Sequence, residues 1–122
     1  MSAKADVDPF LPLPVAWFQI LVAIADRDRH GYAIMQDVAS RTDGKLRLGP
    51  GTLYGAVKRM LEVGLIEEGT DPGDTRDPGN NDERRRYYHI TPLGRRVAAE
   101  ESARLAKLLR QARATGLAPK NV

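Results

Sequence analysis

Between residues 49 and 62 the sequence GPGTLYGAVKRMLE places a hydroxyl, a phenol and two cations at helical spacing. Leu53, Val57, Met60 and Leu61 recur at i, i+4, i+7 and i+8, the pattern of a buried stripe. With that stripe turned inward, Gly51, Gly55, Lys58, Arg59 and Glu62 face outward, flanked by Thr52 and Tyr54. Such side chains can hydrogen-bond base edges and hold phosphates. Gly55 lies at the centre of the face, where glycine costs about 1 kcal/mol relative to alanine. Close approach of the helix backbone to DNA is one reason for it; a solvated face with a tolerated glycine is the other. The densest positive charge is Arg84-Arg85-Arg86, suited to gripping phosphates or straddling a minor groove. Asp71, Asp74, Asp77, Asp82 and Glu83 precede it and would weaken its field unless the loop tip bends away.

Catalytic and metal chemistry find no comparable arrangement. His30 and His89 are the only histidines and share no ligand spacing. The aspartates at 71, 74 and 77 do not follow the order of a calcium loop. Gly49-x-Gly51-x-x-x-Gly55 is one residue too long for a dinucleotide fingerprint, and Lys58-Arg59 is not the Lys-Ser/Thr of a phosphate loop. Ser2, Ser40 and Ser102 have no histidine nearby in sequence, and no nucleophile elbow occurs. Neither an enzyme nor a resident cofactor or metal is expected. Trp17, the sole tryptophan, suits core or dimer packing; its flat face could also wall a planar ligand at a subunit junction.

The elements that must position these residues follow from periodicity and breakers. Residues 1–12 are polar with Pro9 and Pro12, and read as a flexible arm. Pro14 opens a first helix that is apolar nearly all round through Ala25, which implies burial on more than one side. A turn over 26–31 leads to a second helix over about 32–41, stopped at Thr42-Asp43-Gly44, and Lys45–Leu48 alternates like a very short strand. Thr52 is expected to cap the third helix, which ends near Gly64. Strands over 65–68 and 84–90 flank a long Gly/Pro/Asp loop. Thr91-Pro92 opens a last helix reaching about Ala114, with a frayed tail over 115–122. Helix, helix, helix, two-stranded hairpin and a further helix is the order of a winged helix-turn-helix, a mainly α (α+β) fold. It spans 13–91, with the C-terminal dimerisation helix over 92–114.

The chain has 122 residues and a net charge of +3, so the clustering of its positives matters more than their sum. Having no cysteine, it has no disulfide, and the reducing cytoplasm is its easiest compartment. No apolar run approaches the ~20 residues of a membrane span, and the N-terminus lacks a hydrophobic signal core. A core this small gains from dimerisation. Leu93, Val97, Glu101, Leu105, Leu108 and Ala112 trace a heptad-like seam along the last helix, interrupted by Glu101.

Four co-ordered blocks resemble the PadR family of bacterial transcriptional repressors: His30-Gly-Tyr-Ala-Ile34, Leu48-Gly-Pro-Gly-Thr-Leu-Tyr-Gly-Ala-Val-Lys-Arg59, Gly64-Leu-Ile-Glu67 and Arg85-Arg-Tyr-Tyr-His-Ile-Thr-Pro-Leu-Gly94. The resemblance covers roughly residues 13–112, and the single short last helix resembles the family's compact subgroup. It implies a homodimer that binds a near-palindromic DNA operator and represses a nearby gene, with a small-molecule effector as a further partner. By position it implies phosphate contacts from Tyr32, Gly51 and Thr52, recognition-helix contacts from Tyr54 and Lys58, and wing contacts from Arg84, Arg85 and Arg86. It also implies a dimer interface from the first and last helices, on which lie Trp17, Leu21, Leu93, Val97, Leu105, Leu108 and Ala112. The wing loop, Gly69 to Asp82, is longer and more acidic than the family's usual tip. The last helix lacks the aromatic with which some compact members hold flat drugs. Two rivals share the sequence: a small-molecule sensor on the same fold, and an interaction scaffold with no DNA role.

Overall fold

The computed structural model describes residues 6–69 and 86–119. A 3-10 turn over Asp8–Phe10 leads into helix α1, Val15–Ala23. Strand β1 is only Arg29–His30, and helix α2 follows at once as Gly31–Arg41. Helix α3 is Pro50–Glu62, strands β2 and β3 are Ile66–Gly69 and Tyr87–Ile90, and helix α4 is Pro92–Ala114.

The helices form where the apolar periodicity places them. Ile34 and Val38 bury the inner stripe of α2, and Leu53, Val57 and Met60 that of α3. They pack with Ile20, Leu21 and Ile24 into one core, closed by Leu65, Ile66, Tyr88 and Ile90 from the sheet. α2 ends as expected, with Asp43 and Gly44 both at positive φ and the Gly44 amide donating to the Ala39 carbonyl at 2.7 Å. Helix α3 opens differently from expectation. Gly49 is its N-cap and Pro50 its first residue, so Thr52 already lies inside the first turn and caps nothing.

The sheet is three-stranded rather than two-stranded, in the order β1-β3-β2 and antiparallel throughout. β3 pairs Ile90 with Ile66 and His89 with Glu67 on one side, and Tyr88 with Arg29 on the other. The alternating Lys45–Leu48 segment forms no strand; Leu48 turns into the core instead.

Residues 6–12 are docked rather than loose. Val7 and Leu13 are buried, Asp6 approaches Arg96 at 3.8 Å, and the Leu13 amide donates to the Glu101 carboxylate at 3.3 Å. Glu101, which interrupts the apolar seam of α4, is only 2% exposed and also receives two hydrogen bonds from Arg104, at 2.8 and 2.6 Å. Those bonds hold its carboxyl below the ordinary glutamate range, against burial, which acts upward. Residues 115–119 turn back on α4 instead of fraying, with the Leu117 amide donating to the Ala112 carbonyl at 2.8 Å. No described helix is long and apolar enough to cross a membrane.

Candidate nucleic-acid interface

The outward face of α3 has the composition expected for it. Gly51, Thr52, Gly55, Lys58 and Arg59 are all exposed, and a Cβ added at Gly51 or Gly55 would meet nothing within 4 Å. Among the described residues neither Lys58 nor Arg59 forms an ion pair, whereas Arg29 and Arg41 on the neighbouring elements both approach Asp37. Two free cations over a backbone with no side chain at its centre make a surface that an anion-lined groove can approach closely.

Tyr54 departs from that face. It is half-buried against the core, and a Cβ on Gly31 would lie 2.5 Å from its phenolic oxygen. The glycine of the His30-Gly31-Tyr32 block is therefore bare because the Tyr54 ring occupies its side of α2. Tyr32, the next residue, is 58% exposed at the start of α2. His30 serves that helix as its N-cap, accepting from the Ala33 amide at 3.1 Å, and its ring stands edge-on to Tyr87 at 5.3 Å.

Of the contacts that build the wing root, the sequence announces only the Thr91 cap. Asp28 reaches His89 at 2.7 Å, and the space beside it is kept by Gly69, where a Cβ would collide with the Asp28 carboxylate. Thr91 caps α4 by accepting from the Gly94 amide at 2.9 Å, while its hydroxyl contacts the Gly64 and Leu65 carbonyls at 2.6 and 3.0 Å. Gly94 is bare because the Leu65 carbonyl fills the position of its Cβ. Of the three wing arginines, Arg86 is half-buried and sits 3.5 Å from Glu68 on the adjacent strand. Arg84, Arg85 and the acidic loop before them lie outside the described residues.

The residues expected at a dimer interface divide into two groups. Leu21 and Val97 are 0% exposed within the single chain, so they have no surface left to give a partner; they are core. Leu93, Trp17 and Ala112 are half-buried, the first two packed against the core. Leu105 and Leu108 remain 39% and 46% exposed, and on α1 Val15 and Val22 are exposed as well. An open groove of about 220 Å³ runs between α1 and α4, with Phe18, Val22, Ile90 and Ala98 in its walls. Trp17 does not line it. Among the described residues there is no cluster of side chains able to hold a metal.

Residues 20–100 match the model of the transcriptional regulator PadR-like family. The chain belongs to that family. This PadR-like chain is 36% identical over 81 residues to uncharacterized protein X of Lysinibacillus sphaericus, spanning 66% of the chain and 69% of that protein. Its fold is similar to that of a PadR family transcription regulator from hypervirulent Clostridium difficile, at a TM-score of 0.58 and 26% identity over 80% of this chain and 97% of that one. A transcriptional regulator from Clostridium thermocellum matches at a TM-score of 0.61, covering 81% and 89% of the two chains at 24% identity, a likeness of fold. The PadR-like regulator is thus a DNA-binding transcription regulator with a winged-helix fold.

Proposed function

We propose that this PadR-like regulator represses transcription as a homodimer, placing α3 of each protomer in the major groove of a near-palindromic operator. The observation that carries this reading is the open face of α3: exposed Gly51, Thr52, Gly55, Lys58 and Arg59, with both cations free of ion pairs among the described residues. Lys58 and Arg59 supply contacts to base edges and phosphates, and Gly51 and Gly55 allow the helix backbone to approach. Tyr32 presents its phenol to a phosphate from the start of α2. Tyr54 positions that end of α2 through Gly31 and contributes less to base reading than its motif place implies. The dimer draws on the exposed apolar residues of α1 and α4, Val15, Val22, Leu105 and Leu108, which then bury surface the single chain leaves in water. Two-fold symmetry in the protein requires two half-sites about one helical turn apart.

Relief by a small molecule enters through the groove between α1 and α4. At about 220 Å³ it is smaller than the ~300–1,000 Å³ typical of ligand pockets, so an effector site there is completed by the partner protomer. The test is selection of duplexes from a random pool by the full chain, followed by sedimentation with and without the enriched duplex. Enrichment of an inverted repeat, lost on Lys58→Glu without change of oligomeric state, is the expected result. A pool that emerges unenriched would remove the reading.

A further inference from the structure

The outward face of the sheet carries a row of titratable groups for which the reading of α3 has no use. His89 stands in the middle of the row. The register sets Glu67 of β2 directly opposite it, and Asp28, just before β1, reaches its Nδ1 at 2.7 Å from the other side. Residues paired across an antiparallel sheet share a face, so the imidazole lies between two carboxylates. The Asp28 carboxylate extends over β3 as far as β2, where only the missing side chain of Gly69 leaves it room. It therefore lies against both strands of the wing hairpin, at the residue where β2 ends. The other charges nearby turn elsewhere: Arg29 to the Ala23 carbonyl and Asp37, and Arg86 to Glu68. His30 and Tyr87 stand next along the face. These contacts fix the protons on both histidines. An ionised carboxylate only accepts, so the His89 Nδ1 donates to Asp28 and its Nε2 is left to take a second proton. That proton leaves the bond in place and puts charge on both sides of it. The His30 Nδ1 instead accepts from the Ala33 amide, so a proton there would break the cap of α2.

We infer that Asp28 and His89 form a proton-controlled latch at the root of the wing, reinforced by Glu67. Histidine changes charge between about pH 5 and pH 8, where other unperturbed side chains do not. With its second proton, His89 completes a row of minus, plus and minus that ties the turn before β1 to β3 and β2. Hydrogen bonds between charged partners are about twice as strong as neutral ones. Without that proton, an uncharged ring holds one carboxylate and faces another. The wing hairpin is thus held more firmly in mild acid than above neutrality. The effect on DNA rests on the proposed reading of the winged helix; the latch itself does not.

Amide hydrogen exchange of the full chain without DNA tests the latch, read at about pH 5.5 and about pH 8, toward the two ends of the histidine range. After correction for intrinsic rates, the amides of β2 and β3 should be about fivefold better protected at the acid end, with no such gain in α3. Asp28→Asn keeps an acceptor but no charge, and should abolish the gain. Glu67→Gln, at an exposed position, should reduce it. Affinity for a random-sequence duplex at constant salt should rise on acidification about fivefold more in the unsubstituted chain than in Asp28→Asn. Both chains keep His30 and His89, so the difference isolates the pair. The same pH response in the two chains would overturn the inference, as would a gain in α3 equal to that in the wing. Should Asp28→Asn fail to fold, an unaltered response in Glu67→Gln would overturn it instead. Local protection with equal duplex affinities would overturn the link to DNA binding. Failure of the unsubstituted chain to bind any duplex would bring down the reading of the winged helix, with exchange still deciding the latch.

Discussion

On the outward face of α3, Gly51 and Gly55 look into open space, whereas at the junctions around the sheet Gly31 and Gly94 each lack a side chain because a neighbour occupies its place. The same residue type thus answers two physical demands in one small domain. Around the sheet the demand is internal: the Tyr54 ring sits against Gly31, and the Leu65 carbonyl against Gly94. On α3 no neighbour among the described residues explains the two glycines, and Gly55 carries the helix-propensity cost of glycine in mid-helix. Motif residues at the junction hold the wing root and α4 in place; those on α3 are left facing outward. Substitution should separate the two sets by readout, with stability affected at the junction and DNA affinity on α3.

The largest expected effect is at the junction. Gly94→Ala drives a methyl group into a backbone carbonyl that cannot rotate away, at a cost of about 3 kcal/mol. Thermal unfolding should fall by roughly 10–15 °C, with DNA binding lost only in proportion to the unfolded fraction. A variant that melts like the unsubstituted chain would break the comparison at its strongest point.

Next in size is the clamp at Glu101. Glu101→Ala leaves the Leu13 amide without its acceptor and Arg104 without its partner, and should cost about 1–3 kcal/mol. The pH dependence has a definite sign. Because the folded-state value lies below the unfolded one, the carboxylate adds stability above the unfolded value, near 4.3, and loses it as pH falls through the lower folded value. Unfolding midpoints of the unsubstituted chain and Glu101→Gln should therefore differ at neutral pH and converge in acid. A gap that stays constant down to acid pH would show that the charge contributes nothing.

Much of this is legible in the sequence, and what is not has a common cause. The four helices, the Thr91 cap, the exposed face of α3 and the family itself follow from local periodicity, breakers and motif blocks. β1 does not, because two residues show no alternation and Arg29–His30 is a strand only through pairing with Tyr87–Tyr88. The docking of residues 6–13 depends on Glu101, 88 positions from Leu13. A helical wheel places Tyr54 at the edge of the outward face, but only the packed structure shows Gly31 leaving room to draw the ring inward. The same wheel cannot tell that Leu21 and Val97 spend all their surface on their own chain. Long-range pairing decides each of these, and it leaves no mark on local sequence.

On the other side of the comparison stands Gly55→Leu. With no neighbour within 4 Å, the side chain adds helix propensity and should raise stability by up to about 1 kcal/mol. The same bulk would hold the helix away from DNA, so affinity for an enriched duplex should drop while the melting temperature holds or rises. Equal affinity would make the face around Gly55 merely solvated and move the DNA contact elsewhere on the chain.

The smallest effect should come from Arg86, where the two regions meet. It has a cation's reach toward DNA, yet it lies 3.5 Å from Glu68, and both side chains are substantially exposed. An exposed pair of this kind contributes ~0–1 kcal/mol to stability, so Arg86→Ala should barely move the melting temperature. On the proposed DNA-binding reading, a phosphate would have to compete with Glu68 for the guanidinium. Arg86→Ala should consequently reduce the salt slope by less than the ~0.9 expected of an unopposed arginine on one phosphate, and should weaken random and enriched duplexes alike. Glu68→Ala sharpens the point: with the competitor gone, affinity for both duplexes should rise and the slope should steepen. A full drop of ~0.9 per protomer on Arg86→Ala, with no gain on Glu68→Ala, would mean that the carboxylate does not restrain the arginine. The wing root would then belong with α3 as an outward-facing surface, and the boundary between the two regions would move to Thr91.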